Sequence, residues 1–274
     1  MKRSKTFSKG LMAFSLLFYT LCSLAQSEVE LARTAQNPVA NMYSIPFQNN
    51  TVWGVGPYER PQNVLNIQPV IPIPLGSKIN MINRIILPVI TQPSSTEDKS
   101  STGIGDILYT MWFSPSKDSK IIWGLGPAFQ LPTASGIEYG SGEFGVGPSL
   151  VILTMPKQWV IGAVINNIRT FGDADENIFF TNLFANYNFP KWYLTSAPII
   201  TADWNAEKDQ RWLVPVGAGL GKVVKLGGKL PLNMSAHAYY NVIKPDGAGE
   251  WQTRFQLQFM FPTKSMREKM KETM

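Results

Sequence analysis

From Glu250 to Phe261 the chain alternates without a break. Trp251, Thr253, Phe255, Leu257, Phe259 and Phe261 fall on one face of an extended strand, and Gln252, Arg254, Gln256 and Gln258 on the other. Successive side chains of a strand point to opposite sides, so the two sets face different solvents. A soluble sheet can alternate in this way, but here the apolar face is crowded with aromatic rings and the chain carries other stretches of the same kind. The pattern predicts an all-β fold, an antiparallel transmembrane β-barrel that is apolar toward lipid and polar toward a lumen.

The start of the chain reads as an export signal. Lys2, Arg3, Lys5 and Lys9 form a positive leader, Leu11 to Leu21 an apolar run, and Ser23, Leu24 and Ala25 a small-x-small cleavage site. Residues 1–25 are therefore expected to be a signal peptide. A lipid anchor on Cys22 is the competing reading, but Tyr19, Thr20 and Leu21 are poor residues to precede a lipidated cysteine. Cleavage after Ala25 leaves 249 residues, removes the only cysteine and lowers the formal charge of +6 to about +2. That balance argues against nucleic acid as a partner. One histidine and no remaining cysteine also exclude a disulfide scaffold and a thiolate or multi-histidine metal site. No cofactor or metal is expected.

After a helical stretch near residues 28–36, stopped by Asn37 and Pro38, strands are expected near 63–72, 79–91, 104–114, 120–131, 143–154, 158–169, 178–189, 192–203, 211–222, 230–242 and 250–261. Connections near 73–78, 115–119, 155–157, 190–191 and 223–228 are short and carry Pro, Gly and Lys. Those near 92–102, 132–142, 170–177, 204–210 and 243–249 are longer or more acidic. Outer-membrane barrels keep short turns in the periplasm and long loops outside, so the strand at 63–72 runs downward. Residues 42–57 must then bring the chain to the outer face, as a twelfth strand or as a segment threaded up the lumen. The expected organisation is a helix and first strand or lumen plug over 26–57, a barrel of about 12 strands over 58–262, and a charged periplasmic tail over 263–274.

Aromatic residues lie where two interfacial girdles belong: Trp112, Phe113, Trp123, Trp159, Phe189, Trp192 and Tyr193 by the short turns, Phe144, Phe171, Phe179, Trp204, Trp212 and Trp251 by the long loops. On the lumen face, alternation places Asn233, Ser235, His237, Tyr239 and Asn241 in one strand, Asn182, Phe184, Asn186 and Asn188 in another, and Asp106, Leu108, Thr110, Trp112 and Ser114 in a third. The charges expected inside are Arg84, Arg169, Arg211 and Arg254 against Asp106 and Asp203. A neutral polar lining with an excess of arginine suits passage of neutral or anionic small solutes. Alternatively, the charges pair across the lumen and hold the barrel's shape. The acidic run at Asp173, Asp175 and Glu176 reads as a solvated loop.

Ser235 and His237 share a face two residues apart, and a serine with a histidine base is one half of a hydrolytic centre. No carboxylate follows on this strand before Asp246, and side chains at i and i+2 are expected to point the same way rather than at each other. Repeated Gly-x-Gly units at 54–56, 124–126, 145–147 and 217–219 are not phosphate loops, because each is expected to continue as strand rather than open a helix. They spare the inner face side chains and ease curvature. Prolines 69, 72, 74, 88, 127, 148, 198 and 215 lie in or beside strands and predict breaks and bulges, since proline cannot donate to the ladder.

Leu31 to Thr51, with Gln36-Asn-Pro-Val-Ala40 and Pro46-Phe-Gln-Asn-Asn50, followed by Asn63 to Pro69, Thr102 to Asp106 and Gly145 to Pro148, resembles the outer-membrane transporters grouped as "MetA-pathway of phenol degradation", some of which carry the name neuromedin U. The resemblance covers the mature chain and implies a barrel in the bacterial outer membrane passing small organic or aromatic compounds. It brings no binding residues.

The function expected is a pore or transporter for small organic solutes rather than an enzyme. Its expected partners are outer-membrane lipid around it and the barrel-assembly machinery that would insert it. The candidate lumen-lining residues are Arg84, Asp106, Asn182, Asn186, Asp203, Arg211, Ser235, His237 and Arg254. The alternatives are a lipid-modifying enzyme built on Ser235 and His237, a structural barrel without transport, and a secreted soluble sandwich that would fold without detergent.

Overall fold

The structure is a computed structural model that describes residues 28–117, 119–227 and 230–263. The expected signal peptide with Cys22, and the tail beyond Thr263, lie outside the described residues. Among the described residues the chain forms a short helix, α1 (28–35), and fifteen strands. These are β1 (Met42–Val55), β2 (Arg60–Ile67), β3 (Val70–Leu75), β4 (Ile79–Pro93), β5 (Ser100–Ile104), β6 (Ile107–Pro115), β7 (Ile121–Leu131), β8 (Gly145–Thr154), β9 (Trp159–Thr170), β10 (Asn177–Asn188), β11 (Tyr193–Ser196), β12 (Ile199–Asp203), β13 (Trp212–Leu226), β14 (Leu230–Ile243) and β15 (Trp251–Pro262).

Three pairs of these strands are single spans interrupted in the middle: β2 with β3, β5 with β6, and β11 with β12. Twelve spans result, each antiparallel to its neighbours. The last closes on the first, with Met42 opposite Pro262 and Trp53 opposite Trp251. Residues 42–55 are thus the twelfth stave and not a threaded segment. Both ends of the described chain sit at the end that carries the short turns, as an even strand count requires.

Two of the interruptions fall at prolines. Between β2 and β3 the ladder stops at Gln68 and Pro69, and between β11 and β12 at Ala197 and Pro198. Pro215 coincides with a register shift between β13 and β14. The third interruption, at Gly105 and Asp106, has no proline. Its cause is the loop at 132–144, which reaches back to this point: Ser135 donates its backbone N–H to the carbonyl of Ile104, and the Tyr139 ring packs against Gly103.

Alternation sorts the wall into two faces. On β15, Trp251, Phe255, Leu257 and Phe261 are exposed outward while Gln252, Arg254, Gln258 and Met260 are buried inward. Apolar side chains on an outer surface are stable in lipid, and polar ones inside keep contact with a wet lumen. Phe113, Trp123, Trp159 and Trp192 crown the short-turn rim, and Phe144, Phe171, Trp204 and Trp251 the loop rim. Two rings of the expected girdles are elsewhere. Trp112 and Tyr193 are at most 3 % exposed and point into the barrel, because each lies one residue out of step with its outward neighbour, Phe113 or Trp192. The Gly-x-Gly units also divide. Gly124, Gly145, Gly147 and Gly217 abut the neighbouring wall, whereas Gly54 and Gly56 have φ of 77° and 72° and form the β1–β2 turn.

Candidate functional site: the barrel lumen

The inward face encloses a polar cavity of about 180 Å³ between the wall and the end of α1. Of the residues expected to line the lumen, Arg84, Asn182, Asn186, Ser235, His237 and Arg254 do so together, from β4, β10, β14 and β15. A wider groove between Trp192, Leu220, Phe255 and Leu257 belongs to the outward apolar face of the wall.

On β14 the side chains of Ser235, His237 and Tyr239 form one hydrogen-bonded row. His237 Nε2 lies 3.0 Å from Ser235 Oγ, and Nδ1 lies 2.9 Å from the Tyr239 hydroxyl. The expectation that i and i+2 side chains would not meet is corrected here. The imidazole is long enough to bridge the roughly 7 Å repeat of a strand when both neighbours carry hydroxyls. The orienting group is a neutral phenol and not a carboxylate. The row faces the lumen, with Arg254 opposite His237 on β15.

The proline break at Ala197 and Pro198 explains much of the lining. Asn182 Nδ2 donates to the carbonyl oxygens of Ala197 and Pro198 at 2.9 and 3.0 Å. Arg254 Nη1 donates to Ala197 O at 2.7 Å, and the Tyr239 hydroxyl accepts from Ala197 N at 3.3 Å. Backbone groups freed from the ladder must be satisfied in place, and the lumen side chains do this. Arg254 also donates from Nε to Asn50 Oδ1 at 2.7 Å and stacks over Tyr239.

Arg84 differs. Its Cζ lies 4.7 Å from the centroid of the Trp112 ring, and Trp112 is held by a 3.0 Å bond from its Nε1 to Ser149 Oγ. Below this arginine, Ile82, Trp112, Val151, Val164 and Phe184 make an apolar cluster with Val39. Nε and Nη2 of Arg84 are closed off from solvent and have no hydrogen-bond partner among the described residues.

The remaining expected charges are not part of this cavity. Asp106 Oδ1 accepts from the backbone N–H groups of Thr133 and Ala134, and Oδ2 from Gly142, all at 2.9 Å. It therefore anchors the 132–144 loop. Asp203 caps the 204–211 loop by accepting from Asn205 N at 3.0 Å. Arg211 donates to the carbonyls of Trp204 and Ala206 at 3.2 Å within the same loop. Arg169 points away from the lumen and pairs with Asp175 at 3.1 Å. Asp106 lies at the break between β5 and β6, and Asp203 and Arg211 at strand ends, where the loops recruit the side chains; Arg169 is out of step with the buried Ile168 and Thr170, so alternation itself turns it outward. The pairing of charges across the lumen is not observed among the described residues.

The end of α1 borders the cavity through Ala35 and Gln36. Leu31 and Ala32 pack against Met42, Tyr193, Val223 and Met260 inside the short-turn end of the barrel. Arg33 Nη2 donates to Met155 O at 2.7 Å, across the chain in the β8–β9 turn. Gln36 and Asn188 exchange two bonds of 3.0 Å. The helical stretch is legible from its composition, but its partners are not. The only signal is that Leu31 and Ala32 are apolar in a helix too short to be stable by itself.

No family model matches the chain, and no curated protein sequence is similar to it. Among solved structures, an outer-membrane channel from Pseudomonas putida F1 is similar at TM-score 0.59 and 14% identity, over 80% of this chain and 94% of that one. The β-domain of a Bordetella autotransporter is similar at TM-score 0.50 and 11% identity, over 81% of this chain and 100% of that one. An outer-membrane phospholipase from Salmonella typhi reaches TM-score 0.41 at 12% identity, over 86% of this chain and 97% of that one, which is too loose to carry an argument about chemistry. Twelve closed antiparallel spans, an apolar outer wall with two aromatic rims and the likeness in fold lead to one statement: this chain is a β-barrel of the bacterial outer membrane.

Proposed function

We propose that the barrel is a channel for small organic solutes, taken up without chemical change. The observation that carries this reading is the polar cavity at the centre of a closed twelve-span barrel, bounded below by a helix that is docked by side chains rather than by the wall itself. A barrel of this size lies between those filled by side chains and those holding a wide aqueous channel. A docked helix then sets how much of the interior is open. The apolar cluster beside Arg84, and Phe184, Val70 and Met42 in the lining, favour solutes with an apolar body. The channel structure of Pseudomonas putida supports the reading through fold, and the resemblance to the phenol-degradation transporters is in keeping with it.

Planar-bilayer conductance of detergent-purified protein, with heat-modifiable gel mobility as the check on folding, tests the channel. Discrete steps are expected, together with liposome swelling in small organic solutes. A folded barrel that neither conducts nor swells liposomes would overturn the proposal.

A further inference from the structure

Resting on the channel reading, we propose that the cavity beside Arg84 is a binding site for a small organic carboxylate, with the anionic head at Arg84 and the apolar body against Phe184 and Val70. Three observations converge on it. First, Arg84 keeps a full positive charge with no salt bridge and no hydrogen-bond acceptor among the described residues, and two of its nitrogens are closed off from solvent. Arg84 is half-buried and lines the cavity, so its charge is only partly hydrated, and an anion from outside the chain would supply the partner that the chain does not. The stacked Trp112 ring, itself fixed by Ser149, holds the guanidinium plane but supplies no counter-charge.

Second, the other cation of the cavity, Arg254, spends its hydrogen bonds on neutral acceptors, Asn50 Oδ1 and Ala197 O. Its charge adds to that of Arg84 instead of cancelling it. Asp106 and Asp203, which could have neutralised the pair, are engaged in the loops. The amide of Gln68 lines the same space and can donate to a carboxylate oxygen, whereas that of Asn182 is taken up by Ala197 and Pro198.

Third, size and surface select the body. The cavity, about 180 Å³, is close to the roughly 150 Å³ of an engineered cavity that accepts benzene. Phe184 and Val70, which belong to one apolar cluster, both line it. A single-ring or short aliphatic carboxylate fits both the charge and the volume. Arginine beside a weakly polar wall also suits transit, because one charge-assisted contact holds the solute without the full desolvation that would trap it.

The test is calorimetric titration of the folded, detergent-purified protein with benzoate and with benzamide, its uncharged isostere, alongside conductance on the same preparation. Benzoate is expected to bind about tenfold tighter than benzamide, the order of one charge-assisted contact. Arg84→Gln is expected to abolish the difference. Equal affinity for the two probes, an unchanged preference in Arg84→Gln, or displacement of benzoate by inorganic phosphate or chloride at equal concentration would each overturn the site. The wild-type comparison of the two probes decides the matter even if the variant fails to fold. Conductance with no benzoate preference leaves the channel standing and removes the site; benzoate binding without conductance does the reverse.

Discussion

Gln36 and Asn188 exchange two hydrogen bonds of 3.0 Å, tying the C-terminal end of α1 to the last residue of β10 across 152 positions of sequence. With Arg33 on Met155 O, these are side-chain bonds that fix a helix of eight residues in the mouth of the barrel. Such a helix has no stability of its own, so its position depends on these bonds and on burial of Leu31. Gln36→Ala removes both bonds with Asn188. A loss of about 1–2 kcal/mol shifts the docked share by a factor of about 5–30. Conductance of Gln36→Ala is expected to be higher or to show frequent open bursts, measured against wild type in the same bilayer. Identical traces would mean that α1 does not limit the path.

Trp112 is fully buried, bonded to Ser149 and covered by Arg84. Replacing it with Ala removes a large ring from a packed interior and deprives Arg84 of the face it stacks on. Trp112→Ala is expected to lower unfolding stability by about 3–5 kcal/mol, as for other large-to-small aromatic changes. Urea titration in detergent, followed by tryptophan fluorescence at the remaining indoles, would show it as a fall in midpoint. Phe113→Ala, one residue away and facing lipid, is expected to cost less.

How much of this was legible in the sequence depends on where a residue sits along its span. In mid-strand the two-residue period decides direction, and Asn182, Asn186, Ser235, His237 and Arg254 are where alternation puts them. At strand ends and at the β5–β6 break the loops compete, and Asp203, Arg169, Arg211 and Asp106 bond to loop backbone or to a loop carboxylate instead. Tyr193 shows a different failure: a ring near a turn suggests a membrane girdle, but parity overrides position and it turns inward, as does Trp112, which stood on both the girdle and the lumen face and follows the alternation. The prolines predicted breaks correctly at 69 and 198. What no one-dimensional pattern could reveal is that the break at Ala197 would be sealed by Arg254 from another wall of the barrel, 57 residues on.

Asp106 holds three backbone N–H groups of the 132–144 loop at 2.9 Å. Hydrogen bonds to a charged acceptor are the stronger kind, about 1.5–3 kcal/mol each. Asp106→Ala is expected to release this loop while leaving the barrel folded. Added protease should then cut within 132–144 on intact cells faster than in wild type. Unchanged cleavage, with the barrel still heat-modifiable, would show that the Ile104–Ser135 contacts alone suffice to hold it.

Gly147 on β8 has the carbonyl oxygen of Asn167, on β9, directly where a Cβ would stand. The obstacle is backbone, which cannot rotate aside as a side chain can. Gly147→Val is therefore expected to part β8 from β9 and to yield protein that runs on a gel at one mobility, heated or not. Gly142→Ala is the informative control. Nothing lies within 4 Å of its Cβ position, but its φ of 66° belongs to glycine. That change should cost only about 1 kcal/mol of local strain and leave the barrel heat-modifiable.

Ser235, His237 and Tyr239 present a nucleophile, a base and an orienting hydroxyl in one row. The phenol lacks the charge that would stabilise an imidazolium as the serine proton leaves, and Arg254, opposite His237, opposes that charge. The row is therefore expected to act as lumen lining. Hydrolysis of a short-chain nitrophenyl ester by the purified barrel should not exceed that of detergent alone, in wild type or in His237→Ala. The same substitution takes the imidazole from the half-buried Ser235 hydroxyl and from the buried Tyr239 hydroxyl, which keeps only the Ala197 N–H, at a cost of about 1–3 kcal/mol. A lower urea midpoint with unchanged ester turnover is the expected result. Ester hydrolysis that is present in wild type and lost in His237→Ala would instead make this row an active site and the barrel an enzyme.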